Sequence, residues 1–148
     1  MLRGPRAWDA VAVLTTTPTG FVTHPSPMTH KYMLSSDVDS IAEARHHVRE
    51  TLGSLTDADT LSRTELVVSE LVTNSVRHAP GHPITLHLSA DDDGGVEGRV
   101  EDHGRGVVAM RDRDANRVGG LGLVVVDQVT SAWGVHADTT HVWFRLDP

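Results

Sequence analysis

The stretch ELVVSELVTNSVRHAPG, residues 65–81, constrains the fold more than any other part of the chain. Its valines and leucines recur at the spacing of an amphipathic helix, and the Pro-Gly pair near its end stops that pattern. The pattern predicts a helix from about Asp57 to His78. Three polar residues at four-residue spacing, Glu70, Asn74 and His78, follow one side of this helix.

Glu70 and Asn74 are predicted to project from the edge of the apolar stripe. At about 100° per residue, Leu66 falls about 40° to one side of Glu70, and Val67 falls about 60° to the other. Asn74 lies between Glu70 and Val67. The outward positions are taken by Glu65, Ser69 and Thr73. A carboxylate facing a core is costly unless it is paired or lines a wet cavity. An arginine partner for Glu70 and a functional cavity both explain the pattern.

Composition excludes several classes of protein. The chain has 148 residues, which is the length of one domain, and no cysteine, which excludes disulfides, cysteine-ligated zinc and thiol catalysis. A formal net charge of −7 argues against non-specific binding to nucleic acid or anionic membranes. Of ten histidines only His46 and His47 are adjacent, so we do not expect a histidine metal site. No apolar run reaches the ~18 residues of a membrane span, and we expect a cytoplasmic protein.

The remaining patterns predict an α+β domain. Residues 1–29, rich in Thr and Pro, are expected to be a flexible extension before a folded domain at 30–148. HKYML is a candidate strand, and the next helical pattern places Val38, Ile41, Arg45, Val48 and Leu52 on one face before a stop at Gly53. ITLHLSA and VEGRVED alternate as a hairpin around DDDGG, a helix follows near 121–129, and HVWFRLD closes the chain as a strand. This order favours a two-layer sandwich with helices on one face of a mixed, mostly antiparallel sheet.

Two glycine-rich segments interrupt the later part of the chain. In DHGRG, Asp102 ends the second hairpin strand, and Gly104 and Gly106 permit positive φ and a close backbone approach. A tight turn explains this segment equally well. GGLGL, residues 119–123, directly precedes a helix, where backbone N–H groups at the positive end of the helix dipole can hold phosphate.

A charged loop, VVAMRDRDANRV, joins the two segments. Loops of this length are functional lids or disordered segments. Three of its side chains could hold phosphates or be solvated, namely Arg111, Arg113 and Arg117.

Three motifs in order, E-x-x-x-N, D-x-G-x-G and G-x-G-L, resemble the three nucleotide-binding boxes of the GHKL superfamily, which includes DNA gyrase, Hsp90, histidine kinases and MutL. ELVVSELVTNSVRHA and the late WGV and HVWFRL are similar to the anti-sigma-factor serine/threonine kinase branch, whose members are single histidine-kinase-like ATPase domains. The resemblance covers about residues 35–146 and implies the GHKL ATPase/kinase fold.

The resemblance also implies ATP and Mg²⁺ as ligands, with a role for each matching position. It implies that Glu70 is the general base and that Asn74 is the Mg²⁺ ligand. It implies that Asp102 accepts a hydrogen bond from the adenine amino group, while Gly104 and Gly106 let the backbone approach the adenine. The residues implied to close over the phosphates are Gly120, Leu121, Gly122 and Leu123.

The chain departs from the family pattern in two places. Ser75 stands where many relatives have Ala, and HADTTHVWF lacks the Gly-Lys pair that relatives often carry before the last strand. Thr139 or Thr140 is then the candidate for a contact on the adenine side. No histidine lies in a helical dimerisation hairpin, which excludes a complete histidine kinase.

Three functions are open at this point. The first is an anti-sigma factor that binds a sigma factor and phosphorylates an anti-sigma-factor antagonist, with no direct contact to nucleic acid or membrane. The second is a catalytically silent, ATP-dependent protein-binding switch. The third is an α+β domain without a nucleotide. Relatives of this branch often dimerise, so a homodimer is also open.

Overall fold

In the part of the chain that the structure describes, a five-stranded sheet forms one layer and three helices cover one of its faces. The computed structural model describes residues 28–103, 121–136 and 139–148. In chain order the elements are β1 (His30–Leu34), α1 (Asp39–Leu52), α2 (Ala58–His78), β2 (Ile84–Ala90), β3 (Val96–Asp102), α3 (Leu121–Val129), β4 (Ala132–Val135) and β5 (Val142–Leu146). The predicted α+β two-layer class is confirmed.

The strand order is β1-β2-β3-β5-β4, and all four pairings among these described strands are antiparallel. The predicted first strand and hairpin are both present, with Leu34 opposite Ile84 and Ile84 opposite Asp102. β4 was not predicted. It is only four residues long, and it enters the sheet as an edge strand beside β5.

Alternation along the strands sends one set of side chains into the core. Ile84, Leu86 and Leu88 of β2 are fully buried under the helices, together with Phe144 of β5. The Phe144 ring lies over Gly98 of β3, where an added Cβ would be only 2.2 Å from Phe144 Cζ. A strand glycine often marks such a close approach, and here it leaves room for Phe144, the largest fully buried side chain among the described residues.

α1 begins at Asp39, and its buried face differs from the predicted one. Val38 is 71% exposed, and the buried residues of the helix are Ser40, Ala44, Val48 and Leu52. Val38 lies before the first helical turn, so its side chain does not belong to the helical stripe. Small residues at positions 40 and 44 instead allow the helix to pack closely.

α2 begins where the sequence predicted, because Asp57 caps it. The Asp57 side chain accepts a hydrogen bond of 2.7 Å from the Thr60 N–H, which satisfies one of the unpaired donors of the first turn. The buried residues of this helix are Thr60, Thr64, Val67, Val68, Leu71, Val72 and Ser75.

The predicted position of the α2 stripe was wrong at its edge. Leu66 is 43% exposed, whereas Glu65, expected to point outward, is half-buried and pairs with Arg49 of α1 at 3.0 Å. The reason is that α1 packs against α2 on the side of Glu65, where Arg49 of α1 reaches that carboxylate. Glu70 therefore lies at the border of the buried face, with exposed Leu66 on its other side.

Among the described residues, no helix has the length and apolar character needed to cross a bilayer.

Candidate nucleotide-binding site

Two of the sequence motifs meet where α2 passes the start of α3. Glu70 and Asn74 are both half-buried and face the second residue of α3, Gly122. A Cβ added to Gly122 would lie 2.9 Å from Glu70 Oε2 and 3.4 Å from both side-chain polar atoms of Asn74. The α3 backbone therefore touches a carboxylate and an amide at once, and only a glycine leaves both side chains in place.

The electrostatics of this contact combine the positive end of a helix with a carboxylate. The first turn of α3 carries no acidic residue, and its backbone N–H groups give that end a partial positive charge. The Glu70 carboxylate lies close to this end. An anion arriving here would find backbone donors, and a cation would find the carboxylate and the Asn74 amide oxygen.

α3 is held by its neighbours from two sides. Leu123 and Val126 are buried in the core, and Asp127 accepts a hydrogen bond of 3.0 Å from the indole N–H of Trp133 in β4. This pair was not predicted from the sequence. A tryptophan on the core side of a strand needs an acceptor for its N–H, and this is the signal that could have suggested it.

The second part of the site lies at the end of β3. Asp102 is the last residue of that strand, on the helix-facing side, and it is only 6% exposed. The Thr140 hydroxyl donates a short hydrogen bond to Asp102 Oδ1 and lies 3.2 Å from the Asp102 carbonyl oxygen. A buried carboxylate is thus bound to a hydroxyl from the chain entering β5.

The turn between β4 and β5 selects Thr140 rather than Thr139 for this bond. The Thr139 hydroxyl donates to the His136 carbonyl at 2.9 Å and accepts from the His141 N–H at 3.1 Å. Its hydrogen bonds are used within the turn. Thr140, one residue on, has its side chain directed at Asp102.

The residue before Asp102 faces the opposite side of the sheet. Glu101 pairs with Arg99 at 2.6 Å and His87 at 3.4 Å, and His141 Nδ1 lies 3.9 Å away. Burial by itself would raise the pKa of Glu101, but Arg99 and the two histidines outweigh it, so the pKa lies below its ordinary value.

The structure places some of the predicted site residues and leaves others outside the described ranges. Glu70, Asn74 and Gly122 are brought into contact, Leu123 is buried in the core, and Leu121 begins α3. Residues outside the described ranges are Gly104, Gly106, Gly120, Arg111, Arg113 and Arg117.

Residues 34–146 match the family model of the histidine kinase-like ATPase domain. The match covers well over half of the chain, so the protein belongs to this family. Its description as an ATPase domain implies ATP binding. The resemblance drawn from the three motifs is confirmed at the level of the family.

The fold is also similar to a solved structure, the RsbU and RsbW domains of Rv1364c from Mycobacterium tuberculosis. The TM-score is 0.59 at 19% sequence identity, covering 80% of this chain and 31% of that chain. The protein thus spans about a third of the length of this relative, and the likeness concerns the fold. No curated protein matches the sequence.

Proposed function

We propose that the protein is a cytoplasmic, ATP-dependent anti-sigma factor that phosphorylates a serine or threonine of an anti-sigma-factor antagonist. The observation that carries the proposal is the contact of Glu70 and Asn74 with the first turn of α3 at Gly122. It supplies a carboxylate, an amide oxygen and a helix N-terminus together. Fold similarity to a chain containing an RsbW domain supports the anti-sigma branch.

The residues present fit a magnesium ion with ATP. Mg²⁺ prefers oxygen ligands and keeps several waters, so one amide oxygen from Asn74 suffices beside the phosphates. When bound, the ion neutralises charge on the phosphate oxygens. The glycine at position 122 lets the α3 backbone approach closely enough to donate N–H groups to those oxygens.

Asp102 would recognise the adenine. A carboxylate has about four lone-pair sites, so it can accept from the Thr140 hydroxyl and from the adenine amino group at once. The Thr140 bond holds the carboxylate in one orientation before ATP arrives, which reduces the entropy lost on binding.

Glu70 would act as the general base. As the oxygen of the substrate hydroxyl bonds to the γ-phosphorus and ADP leaves, the hydroxyl proton passes to the Glu70 carboxylate. Glu70 is half-buried rather than sealed in the core, so the hydroxyl of another protein can reach it.

The test is transfer of labelled phosphate from ATP, with Mg²⁺, to candidate antagonist proteins. We expect Glu70→Gln to lower transfer by about 10²- to 10⁴-fold while calorimetry shows ATP binding unchanged. Glu65→Gln is the matched control, because Glu65 lies on the same helix but is paired with Arg49.

Two outcomes would contradict the proposal in different ways. If ATP binds but no antagonist is phosphorylated, the protein is an ATP-dependent binding switch instead of a kinase. If Glu70→Gln and Glu65→Gln lose transfer equally, the effect is a general one of helix charge, and Glu70 is not the base.

A further inference from the structure

The second turn of α3 is joined to the edge of the sheet by a hydrogen bond. Asp127 Oδ1 accepts it from the indole N–H of Trp133 at 3.0 Å, and both side chains are half-buried. Five residues earlier on the same helix, Gly122 fits against Glu70 and Asn74. One short helix therefore connects a contact at the edge strand β4 with a contact in the candidate site.

Gly122 and Asp127 lie on opposite flanks of the buried face of α3. At about 100° per residue they are separated by about 140° around the helix axis, and Val126 and Leu123 fall between them. These two residues are buried in the core, whereas Val124, on the far side of the helix, is 38% exposed. The contact with α2 and the bond to β4 therefore act on opposite sides of the apolar stripe.

Apolar contacts alone hold the rotation of α3 loosely, because burial of apolar surface is non-directional. The helix has nine residues, and its core contacts come from Leu123, Val126 and the partly buried Val129. A hydrogen bond, in contrast, weakens steeply when its angle bends. Trp133 is itself fixed, since it pairs with Phe144 in the β4–β5 ladder and packs against the core. Its bond to α3 therefore opposes rotation of the helix.

A small rotation of α3 would matter at Gly122. Backbone Cα atoms lie about 2.3 Å from the helix axis, so a rotation of about 25° moves the Gly122 Cα by about 1 Å. An added Cβ at this position would be 2.9 Å from Glu70 Oε2, so a rotation toward the carboxylate would crowd it and the opposite rotation would open a gap. A misplacement of about 1 Å can cost about 10²-fold in the rate of a reaction.

We propose that the bond between Trp133 and Asp127 fixes the rotation of α3 and thereby sets where Gly122 lies against Glu70 and Asn74. Trp133 and Asp127 are positioning residues, which act through the α3 backbone and not on a ligand. Their effect on phosphate transfer rests on the proposed function, whereas the position of Gly122 can be measured without any ligand. The edge strand β4 thus influences the candidate site through α3.

Two variants remove the bond from its two ends. Trp133→Phe keeps an aromatic ring and loses the N–H donor, and Asp127→Ala loses the acceptor. In ¹H–¹⁵N NMR spectra of the ligand-free, full-length protein, both should move the signals of the Gly122 amide and the Asn74 side-chain NH2 in the same direction, by more than a line width. Asp127→Asn keeps an acceptor oxygen and should leave both signals near their wild-type positions.

Trp143→Phe is the matched control. Trp143 lies in β5 beside the core residue Phe144, so its ring is on the sheet face away from the helices. This variant should leave the Gly122 signal in place. A ring-current effect of a lost indole would appear in Trp133→Phe and not in Asp127→Ala. If only Trp133→Phe moves the Gly122 signal, or if Trp143→Phe moves it equally, the proposal is wrong.

Phosphate transfer supplies the second measurement. In Trp133→Phe and Asp127→Ala we expect kcat to fall about 10-fold, while KM for ATP changes less than about 3-fold because the Asp102 end is untouched. The double variant should be no slower than either single variant, since both remove the same bond. A purely structural role would lower Tm and leave both kcat and the Gly122 signal unchanged, and that result would overturn the proposal.

The two measurements distinguish failure of this bond from failure of the proposed function. If the wild-type protein transfers no phosphate, the kinase proposal fails and the Gly122 signal alone decides the role of the bond. If the wild type transfers phosphate and the variants match it, the kinase stands and the bond is not a positioning contact. Circular dichroism checks that each variant folds. Should Trp133→Phe unfold, Asp127→Ala and Asp127→Asn still decide the outcome.

Discussion

The two parts of the candidate site differ in how much of their geometry exists before a ligand binds. At the Asp102 end, a buried carboxylate is already bonded to the Thr140 hydroxyl. At the Glu70 end, two half-buried side chains rest against the α3 backbone. A pre-bonded carboxylate suits recognition of one fixed group, whereas adjustable side chains suit a site where charge and position change during a reaction.

The largest effect on binding is expected from Asp102→Asn. The asparagine amide replaces a charged acceptor with a neutral one. Its NH2 group is a donor, and it would face either the adenine amino group or the Thr140 hydroxyl, both of which need an acceptor. A hydrogen bond to a charged group contributes about 1.5–3 kcal/mol, so ATP affinity should fall by about 10- to 100-fold. Calorimetry with Mg²⁺ and ATP measures it, and circular dichroism checks the fold. Unchanged ATP affinity would show that Asp102 does not recognise the adenine.

Gly122→Ala should distinguish the Glu70 end of the site from the Asp102 end. We expect it to lower the rate of phosphate transfer without lowering the stability of the protein. The new methyl group would push the Glu70 carboxylate away, and small displacements of reacting groups can cost up to about 10²-fold in rate; we expect about 10-fold. Alanine inside a helix is favoured over glycine by about 0.5–1 kcal/mol, so the melting temperature should stay or rise.

A double-mutant cycle with Glu70→Ala checks the cause of that loss. Once the side chain at position 70 is shortened, the added methyl has no carboxylate to displace, and Gly122→Ala should raise the melting temperature more than it does in the wild-type background. Equal changes in both backgrounds would show that the two residues are not coupled.

Thr140→Val should weaken ATP binding less than Asp102→Asn does. It removes the neutral donor that orients Asp102 and keeps the shape of the side chain, so a loss of about 0.5–1.5 kcal/mol is expected, or about 2- to 10-fold in affinity. Thr139→Val is the control, since its hydroxyl bonds only within the turn among the contacts described. If the Thr139 variant loses as much affinity, the turn rather than the Asp102 bond is responsible.

The smallest effect is expected at Glu101, which shares a strand with Asp102 but faces away from the site. Glu101→Gln removes the pairing with Arg99 and should lower the free energy of unfolding by about 0.2–1 kcal/mol at neutral pH. Because the pKa of Glu101 is lowered from 4.5 in the folded state, its stabilisation is complete above that value and is lost as the pH falls through the lowered pKa.

Urea unfolding between pH 7 and pH 3 should therefore show wild type and Glu101→Gln converging at the acid end. ATP affinity at pH 7 should be unchanged by this substitution. A clear loss of ATP affinity would mean that the outer face of β3 influences the Asp102 end of the site.

Local chemistry made some elements predictable and left others to tertiary structure. α2 and the hairpin follow from a cap at Asp57 and from alternation around a turn, both of which act over a few residues. β4 was missed because four residues at a sheet edge give too short a pattern. The exposure of Leu66 is decided by where α1 packs, which no periodicity within α2 contains.

In the candidate site, too, some features follow from the local sequence and others depend on tertiary structure. The edge position of Glu70 and Asn74 was readable from helical spacing, but their contact with Gly122 depends on how α3 meets α2. Thr139 and Thr140 were equivalent in the sequence. Hydrogen bonds within the β4–β5 turn decide between them, and such bonds form only once both strands are in register.

The ring of Phe144 over Gly98 has a consequence for the distant end of the same two strands. Side chains alternate between faces, so a shift of β3 by one residue would turn Asp102 toward solvent and bring Glu101 under the helices. Such a slip would also drive a side chain into the space that the ring fills. The apolar contact between Phe144 and Gly98, four residues from Asp102, thus helps to fix the register of β3. It disfavours any pairing in which the Asp102 carboxylate points toward solvent.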